Sequence, residues 1–504
     1  MREAAGAARA AIVIGGGLGG MLAVAALLGH VDEITVVERD RYPDEHVFRK
    51  GVPQARHLHV FLSGGQRALE ELLPGAVAEL AAAGARQLFI PRDLLTCTPT
   101  GWQRRFDERR HPCMSVTRPL LDGVVRDRAL RAAADSPTRV QVLEATEAIG
   151  LTGDARHVTG VRVRSRAERA DGRAGAAPDD EDGAGASGSA EGRAGASGSA
   201  QARGERVLEA ALVVDASGRA SRAPQWFAEL GLPAPREVAV DAGIAYATRM
   251  YRPIDPAAAP DAGINIPGHP DCPRAAIYVP VEDGQWLLTI AGVRGHHPPT
   301  DEDGFAGFTG TVTHPYVSEA VTGAKPISPI HGFRDTRNRR RHFERPGAAP
   351  DGYVALGDAH CTFNPIYGQG MSVAALGARA LRHTLDAAGG PGPGLSARAQ
   401  GAISRATEPA WVLAVGADRP YVDGRDGKAG VTERVTTWYL RRLAARAAVD
   451  AVVGATFRDV LCLTRPLSHF VKPRVALRTL LLPRLPGLPA PPMTIEPLPG
   501  GAAR

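Results

Sequence analysis

The chain has 504 residues, 44% of them hydrophobic and 23% charged, and its 60 basic and 54 acidic side chains leave a net charge of +6. That balance excludes a disordered or fibrous chain and fits a folded protein of several structural units. Only four of the basic residues are lysines (Lys50, Lys325, Lys428 and Lys472), and the arginines are scattered among carboxylates with no continuous basic stripe, which argues against a nucleic-acid partner.

The N-terminal stretch MREAAGAARAAIVIGGG runs straight into a glycine motif with no small-residue cleavage site, so no signal peptide is expected. AAIVIGG reads as a strand buried on both faces, MLAVAALLGH as a helix ending near Gly29, and EITVVERD as a second buried strand. This β-α-β start predicts a parallel sheet. Between the first strand and the helix lies Gly15-Gly16-Gly17-Leu18-Gly19-Gly20, a G-x-G-x-x-G, with Glu38 eighteen residues past its last glycine. Gly15 makes the tight turn, Gly17 lets a pyrophosphate approach the backbone, and Gly20 lets helix and strand pack closely. The N-H groups of the helix start, Leu18 and Gly19 among them, face the phosphates, and Glu38, followed by Arg39, accepts from ribose hydroxyls. A dinucleotide site is expected here; the motif alone does not choose between FAD and NAD.

Further along, residues 166–206 are almost only Ala, Gly, Ser, Arg, Asp and Glu, with AGASGSA at 184 repeated at 194. They are expected to form a disordered low-complexity insertion between two strands. ALVVDASG (211–218) and GYVALGDA (352–359) read as two more strands of the parallel sheet, each ending in a Gly- or Asp-bearing turn. Residues 236–335 alternate, as in GIAYATRMY and QWLLTIAGV, and suggest a mainly antiparallel second sheet. The run Arg339-Arg340-Arg341-His342 reads as a solvated or ion-paired turn. From about 395 the pattern is helical and ends in a Pro-rich tail. Within it, 461–486 mixes leucines with cations but is interrupted by prolines. Packing on the core is the first expectation for it and peripheral contact with a membrane the second. No run of 18 uncharged apolar residues occurs, so no membrane span is expected. The five cysteines are widely spaced and lack CxxC, so neither a metal site nor a disulfide framework is expected, which fits a cytoplasmic protein.

Three further blocks, RKGVPQARHLH (49–59), VDASGRASR (214–222) and LGDAHCTFNPIYGQGMSVAA (356–375), resemble the flavoprotein monooxygenases of the squalene epoxidase-like and aromatic hydroxylase-like superfamily. With SVTRPLLD (115–122), DAGIAYATRMY (241–251) and RNRRRHFERP (337–346), the look is that of bacterial polyether epoxidases acting on the polyene precursors of monensin and lasalocid. The resemblance implies an α/β fold with a Rossmann-type, glutathione reductase-like FAD-binding domain (9–165, 207–235 and 345–394). It also implies a β-sheet substrate domain (236–344, with 80–117 contributing) and a helical C-terminal portion (395–504).

It further implies FAD contacts from Arg49, Arg118, Asp358 and the loop-helix Pro365, Gly368, Gly370 and Met371, the helix N-terminus facing the flavin pyrimidine ring. The reductant is then NAD(P)H, used directly or through a partner flavin reductase. VDASGR departs from the family's Asp-Gly motif, which puts direct NAD(P)H binding in doubt. The implied reaction takes O2 as a flavin hydroperoxide and epoxidises an alkene of a lipophilic polyketide or polyene, delivered free or on an acyl carrier protein. Epoxidation needs shielding from water rather than a protein base. Accordingly no catalytic base is assigned. Phe363, Asn364 and Tyr246 are pocket candidates; His57, His59, His360 and Tyr367 are near the motifs without a defined role. The alternatives are an aromatic or aliphatic hydroxylase, an alkene reductase like geranylgeranyl reductase, and a non-catalytic flavin-binding protein. Halogenation ranks lower, because the W-x-W-x-I-P segment is absent and QWLLTIAG carries only Trp286.

Overall fold

A computed structural model describes residues 9–43, 45, 47–49, 53–166, 204–422, 431–483 and 485–498. The expected insertion lies outside these residues from 167 to 203, as do Lys50 and Gly51 of the first resemblance block.

Five short strands form one parallel sheet: β1 (Ala10–Ile14), β2 (Glu33–Val37), β3 (Arg139–Leu143), β4 (Leu212–Asp215) and β5 (Tyr353–Ala355). Their spatial order is β5-β4-β1-β2-β3, with every neighbour parallel. The strands are apolar on both faces because both faces are covered. One face is closed by α1 (Leu18–Leu27), α2 (Arg118–Ala134) and α3 (Gly370–Ala388), which share a core of Met21, Leu22, Leu121, Val125, Leu376 and Leu381. The other is closed by the antiparallel meander 146–153, 158–165 and 205–209 with Trp226, Phe227, Phe343 and Tyr353. Nine of the ten residues of α1 are buried, which explains an almost wholly apolar helix.

The second sheet is mainly antiparallel, as the alternation predicts. Ala245–Pro253 pairs with Trp286–Gly292, which pairs with Arg274–Pro280, then Gly263–Ile266. Its next strand, Leu94–Thr98, pairs parallel with Gly263–Ile266 and turns back through Gly101–Trp102. Of residues 80–117, therefore, 94–102 join the large sheet. Pro112–Ser115 pairs instead with both Arg86–Phe89 and Val60–Phe61, in a small separate sheet of which it is the middle strand.

The arginine run is not a turn. Asn338–Arg341 is a strand between Glu237–Val240 and Cys361–Thr362, and Arg340 and Arg341 are buried because Glu408 and Glu237 neutralise them. The C-terminal helices are α4 (Leu395–Asp418), α5 (Val431–Ala447), α6 (Ala451–Leu461) and α7 (Pro473–Leu481). The tail then returns to the large sheet: Leu488 exchanges both backbone hydrogen bonds with Trp102, and Glu496 bonds Arg105 and Asp107.

Candidate functional site

β1 ends at Ile14 and the chain turns at Gly15, whose φ is 96°. A Cβ on Gly15 would lie 2.6 Å from the Ala216 carbonyl oxygen, and one on Gly20 1.8 Å from the Gly15 carbonyl oxygen. Both positions need glycine for the turn to close. Above Gly17 the space is open, the first atom being Arg49 Nη2 at 3.9 Å. α1 has no side-chain cap, so the first-turn N-H groups are left for a ligand, and Gly17, Leu18 and Gly19 line a cleft of about 570 Å³.

Glu38 also lines this cleft. Its Oε2 accepts from the Gly16 N-H (2.7 Å) and its Oε1 from the Asp40 N-H (2.9 Å), which fixes the carboxylate and leaves each oxygen a second lone pair. Tyr42, not singled out in the sequence, donates its hydroxyl to the Gly16 carbonyl (2.8 Å) and lies under the guanidinium groups of Arg49 and Arg126. Arg49 reaches Glu38 (3.7 Å) and Asp122 (3.8 Å), and Arg118, at the start of α2, donates to Asp122 (2.6 Å). Both arginines and Arg39 line the cleft.

The far wall is the turn after β5. Asp358 lies there, its carboxyl raised by burial against the opposing pull of Arg219, Arg118 and Arg339. Pro365, Gly368 (φ 63°), Gly370 and Met371 follow, and α3 begins at Gly370 without a side-chain cap. The cleft thus runs from one uncapped helix start to another. Phe363 lines it; Asn364 does not. Asn364 is buried behind the loop, with its N-H donated to Asn338 Oδ1 (2.8 Å) and its Oδ1 accepting from Ile366 N-H (3.3 Å). Gly20 serves packing, beneath the cleft.

Asp215 is spoken for. Its carboxylate accepts from Ser217 N-H and hydroxyl, the Ser221 hydroxyl and the Tyr353 hydroxyl, and it is fully buried. The half-buried Ser217 to Arg219 and the exposed Ala220 and Arg222 line the cleft, while the Arg219 guanidinium holds the carbonyls of Phe363 and Asp335.

Beside the far wall lies an aromatic cluster. Tyr246 packs on Phe333 (ring centroids 5.3 Å apart) and edge-on against His57 (4.6 Å), with Ile366 and Tyr421 adjoining. Phe333 reaches the cleft and Tyr246 stands behind it, its hydroxyl buried with no hydrogen-bond partner among the described residues. His57 is linked through Nδ1 to Thr248 (2.9 Å) and on to Thr289 (2.8 Å). His59 Nδ1 donates to the His57 carbonyl (2.7 Å), leaving Nε2 as an acceptor, and His59 lines the cleft. Burial, helped by His331 and Arg56 for His57 and by Arg118 for His59, pushes both imidazoles down to about 3, so both are neutral at pH 7. His360 is buried against Gln400 and Ser404, away from the cleft.

Sequence reasoning missed Tyr42, Gln54, Thr146 to Ala148, Phe333, Asp335 and Asp418. Gln54 and His59 sit inside a quoted block; nothing local marks the others.

Against known proteins, no family model matches the chain. A curated relative does: it is 30% identical over 413 residues to protein Rv3254 of Mycobacterium tuberculosis, covering 80% of this chain and 78% of that one. The chain belongs to the family of Rv3254. For this Rv3254 family member, solved structures show the fold. The p-nitrophenol 4-monooxygenase PnpA of Pseudomonas putida superposes with a TM-score of 0.59 at 14% identity, covering 90% of this chain and 98% of that one. A triple mutant of the flavin-dependent brominase Bmp2 gives 0.58 at 13% identity, over 92% and 96%.

Proposed function

We propose that this protein is an FAD-dependent monooxygenase that inserts oxygen into a lipophilic substrate, by epoxidation of an alkene in a polyene or polyketide precursor. The observation that carries the reading is the single cleft joining a glycine turn built for a pyrophosphate to an uncapped helix start flanked by aromatic side chains. The fold shared with PnpA and Bmp2 supports it.

The residues fit FAD. Above Gly17 the space is open as far as the Arg49 guanidinium, the α1 N-H groups would supply donors to a phosphate, and Glu38 retains acceptor capacity toward a ribose. Arg49 and Arg118 would offset phosphate charge, Asp358 would accept from hydroxyl groups of the bound cofactor, and the Gly370 and Met371 N-H groups would stabilise negative charge developing on it. FAD, when bound and reduced by NAD(P)H or by a flavin reductase, supplies two electrons to O2.

The protein's part is to orient and to exclude water. Phe333 and Phe363 present an apolar wall to the cleft, backed by Tyr246 and Ile366, and neutral His57 is held behind it by Thr248 and brings no charge to it. His59 offers an acceptor at Nε2. This arrangement supports oxygen transfer to an alkene better than phenol hydroxylation, which gains from a titrating base. Trp286 packs on Tyr278 in the second sheet, which adds no support to halogenation.

The test is stopped-flow mixing of the reduced holoprotein with O2. The expected result is a long-lived spectral transient between the reduced and oxidised forms, with O2 consumed and one oxygen atom recovered in a polyene substrate. Direct return to the oxidised spectrum with no product from polyenes or phenols would overturn the reading in favour of a reductase.

A further inference from the structure

α5 and α7 carry outward faces that no other described residue covers. On α7, Val475 and Thr479 face the core of Leu443, Val453 and Phe470, while Leu477 (56% exposed), Leu480 and Leu481 (74%) lie on the opposite side. On α5, Leu443 and Ala447 face the same core, while Val435 and Trp438 (49%) are exposed. Val471, just before α7, is 65% exposed. The two helices form one unit, since Arg442 of α5 donates to the carbonyls of Thr479, Leu480 and Leu482.

Among the described side chains, the exposed charge of this unit is one-sided. Arg434, Arg441, Lys472 and Arg474 are exposed beside the apolar residues, with Arg434 and Arg441 one turn either side of Trp438. Nearby carboxylates among the described side chains are already engaged: Asp450 with Arg446 and Arg478, Asp459 with His111, and Glu496 with Arg104. We propose that the outer faces of α5 and α7 seat this protein on an anionic lipid bilayer, in the plane of the interface. Branched aliphatics and a tryptophan flanked by long cations are the side chains such a surface takes up: the apolar parts enter the acyl boundary and the cations meet the headgroups. Among the described residues no helix is long and apolar enough to cross a membrane, so the contact is peripheral.

The inference is independent of the flavin reading, and its assay reads binding rather than turnover. The intact protein is sedimented with vesicles of phosphatidylcholine alone and of phosphatidylcholine mixed with phosphatidylglycerol. Binding to the anionic vesicles is expected to be tighter by about tenfold or more and to weaken with salt. A Leu477→Ser, Leu481→Ser double variant, whose exposed positions leave the core untouched, should lose about tenfold or more of that binding with unchanged thermal unfolding. Charge removal (Arg434→Gln, Arg441→Gln, Arg474→Gln) should erase the preference for anionic lipid. Absence of binding to either vesicle, or equal binding by the leucine variant, would overturn the proposal. So would concentration-dependent self-association, or capture of an acidic carrier protein, that the leucine variant abolishes while vesicles do not compete.

Discussion

The phenol of Tyr367 donates a hydrogen bond to the carboxylate of Asp418, tying the loop before α3 to the last turn of α4, 51 residues away. Asn338 donates to the other carboxylate oxygen and accepts the Asn364 N-H, so one buried group fixes both ends of the loop that carries Pro365.

Burial raises Asp418 to about 6, whereas an unfolded aspartate titrates near about 3.9. Between those values the folded state holds a proton that the unfolded state has lost, so this group's contribution falls as pH rises from about 4 to about 6, by of order 2 kcal/mol. Asp418→Asn lacks that slope. At pH 7.5 it should also be about 1–3 kcal/mol less stable, because its amide N-H groups meet the donor of Asn338. Urea midpoints across this range should therefore show wild type and variant diverging as pH falls; a constant gap would refute the assignment.

The glycine turn separates two kinds of crowding. A Cβ on Gly16 would lie 1.9 Å from the Tyr42 hydroxyl, a removable atom, whereas the Gly20 Cβ meets backbone. Gly16→Ala should lower the melting temperature and Gly16→Ala with Tyr42→Phe should recover part of the loss. Tyr42→Phe alone should cost about 1 kcal/mol, the worth of its bond to the Gly16 carbonyl. Gly20→Ala should fail to bind flavin in either background, as read by absorbance of the purified protein.

His57 and His59 stay neutral above about pH 4, so the pH profile of kcat/KM should show no limb between about 5.5 and 8 from either one. Their effect is on stability. A histidine depressed to about 3 contributes fully above about 6.5, and its contribution is lost at about 1.4 kcal/mol per unit as pH falls below that. His57→Gln should therefore unfold less steeply than wild type between pH 6 and 4 in acid titrations followed by circular dichroism.

The buried hydroxyl of Tyr246 has no partner among the described residues, and such an orphan costs about 1–3 kcal/mol. Tyr246→Phe should therefore leave the melting temperature unchanged or raise it. If the hydroxyl meets a polar atom of the substrate, the same change should raise KM while leaving flavin content intact.

The parallel sheet and glycine turn were legible because their signals are local: continuous apolar runs, a glycine triplet and an acid at fixed spacing. The antiparallel sheet showed in the alternation around Tyr246 and Leu288. Tyr42, Phe333 and Asp418 were not legible, since each acts through a partner brought near only by folding. The arginine run is ion-paired, as expected, but in a strand rather than a turn: its neutralising acids, Glu237 and Glu408, lie about a hundred residues before it and about seventy after it. Asp215 stood in a quoted block, yet only the fold shows its carboxylate saturated by four donors.

The pairing of Gly263–Ile266 with Leu94–Thr98, and of Trp102 with Leu488, brings three distant parts of the chain into the second sheet. No single cut therefore releases that sheet as a self-standing module. Removing the last twenty or so residues would bare the backbone edge at Trp102, an open template for another chain. A truncated product should then be recovered as aggregate rather than as a smaller soluble fragment, and fusions or affinity tags belong at an end whose backbone the sheet does not use.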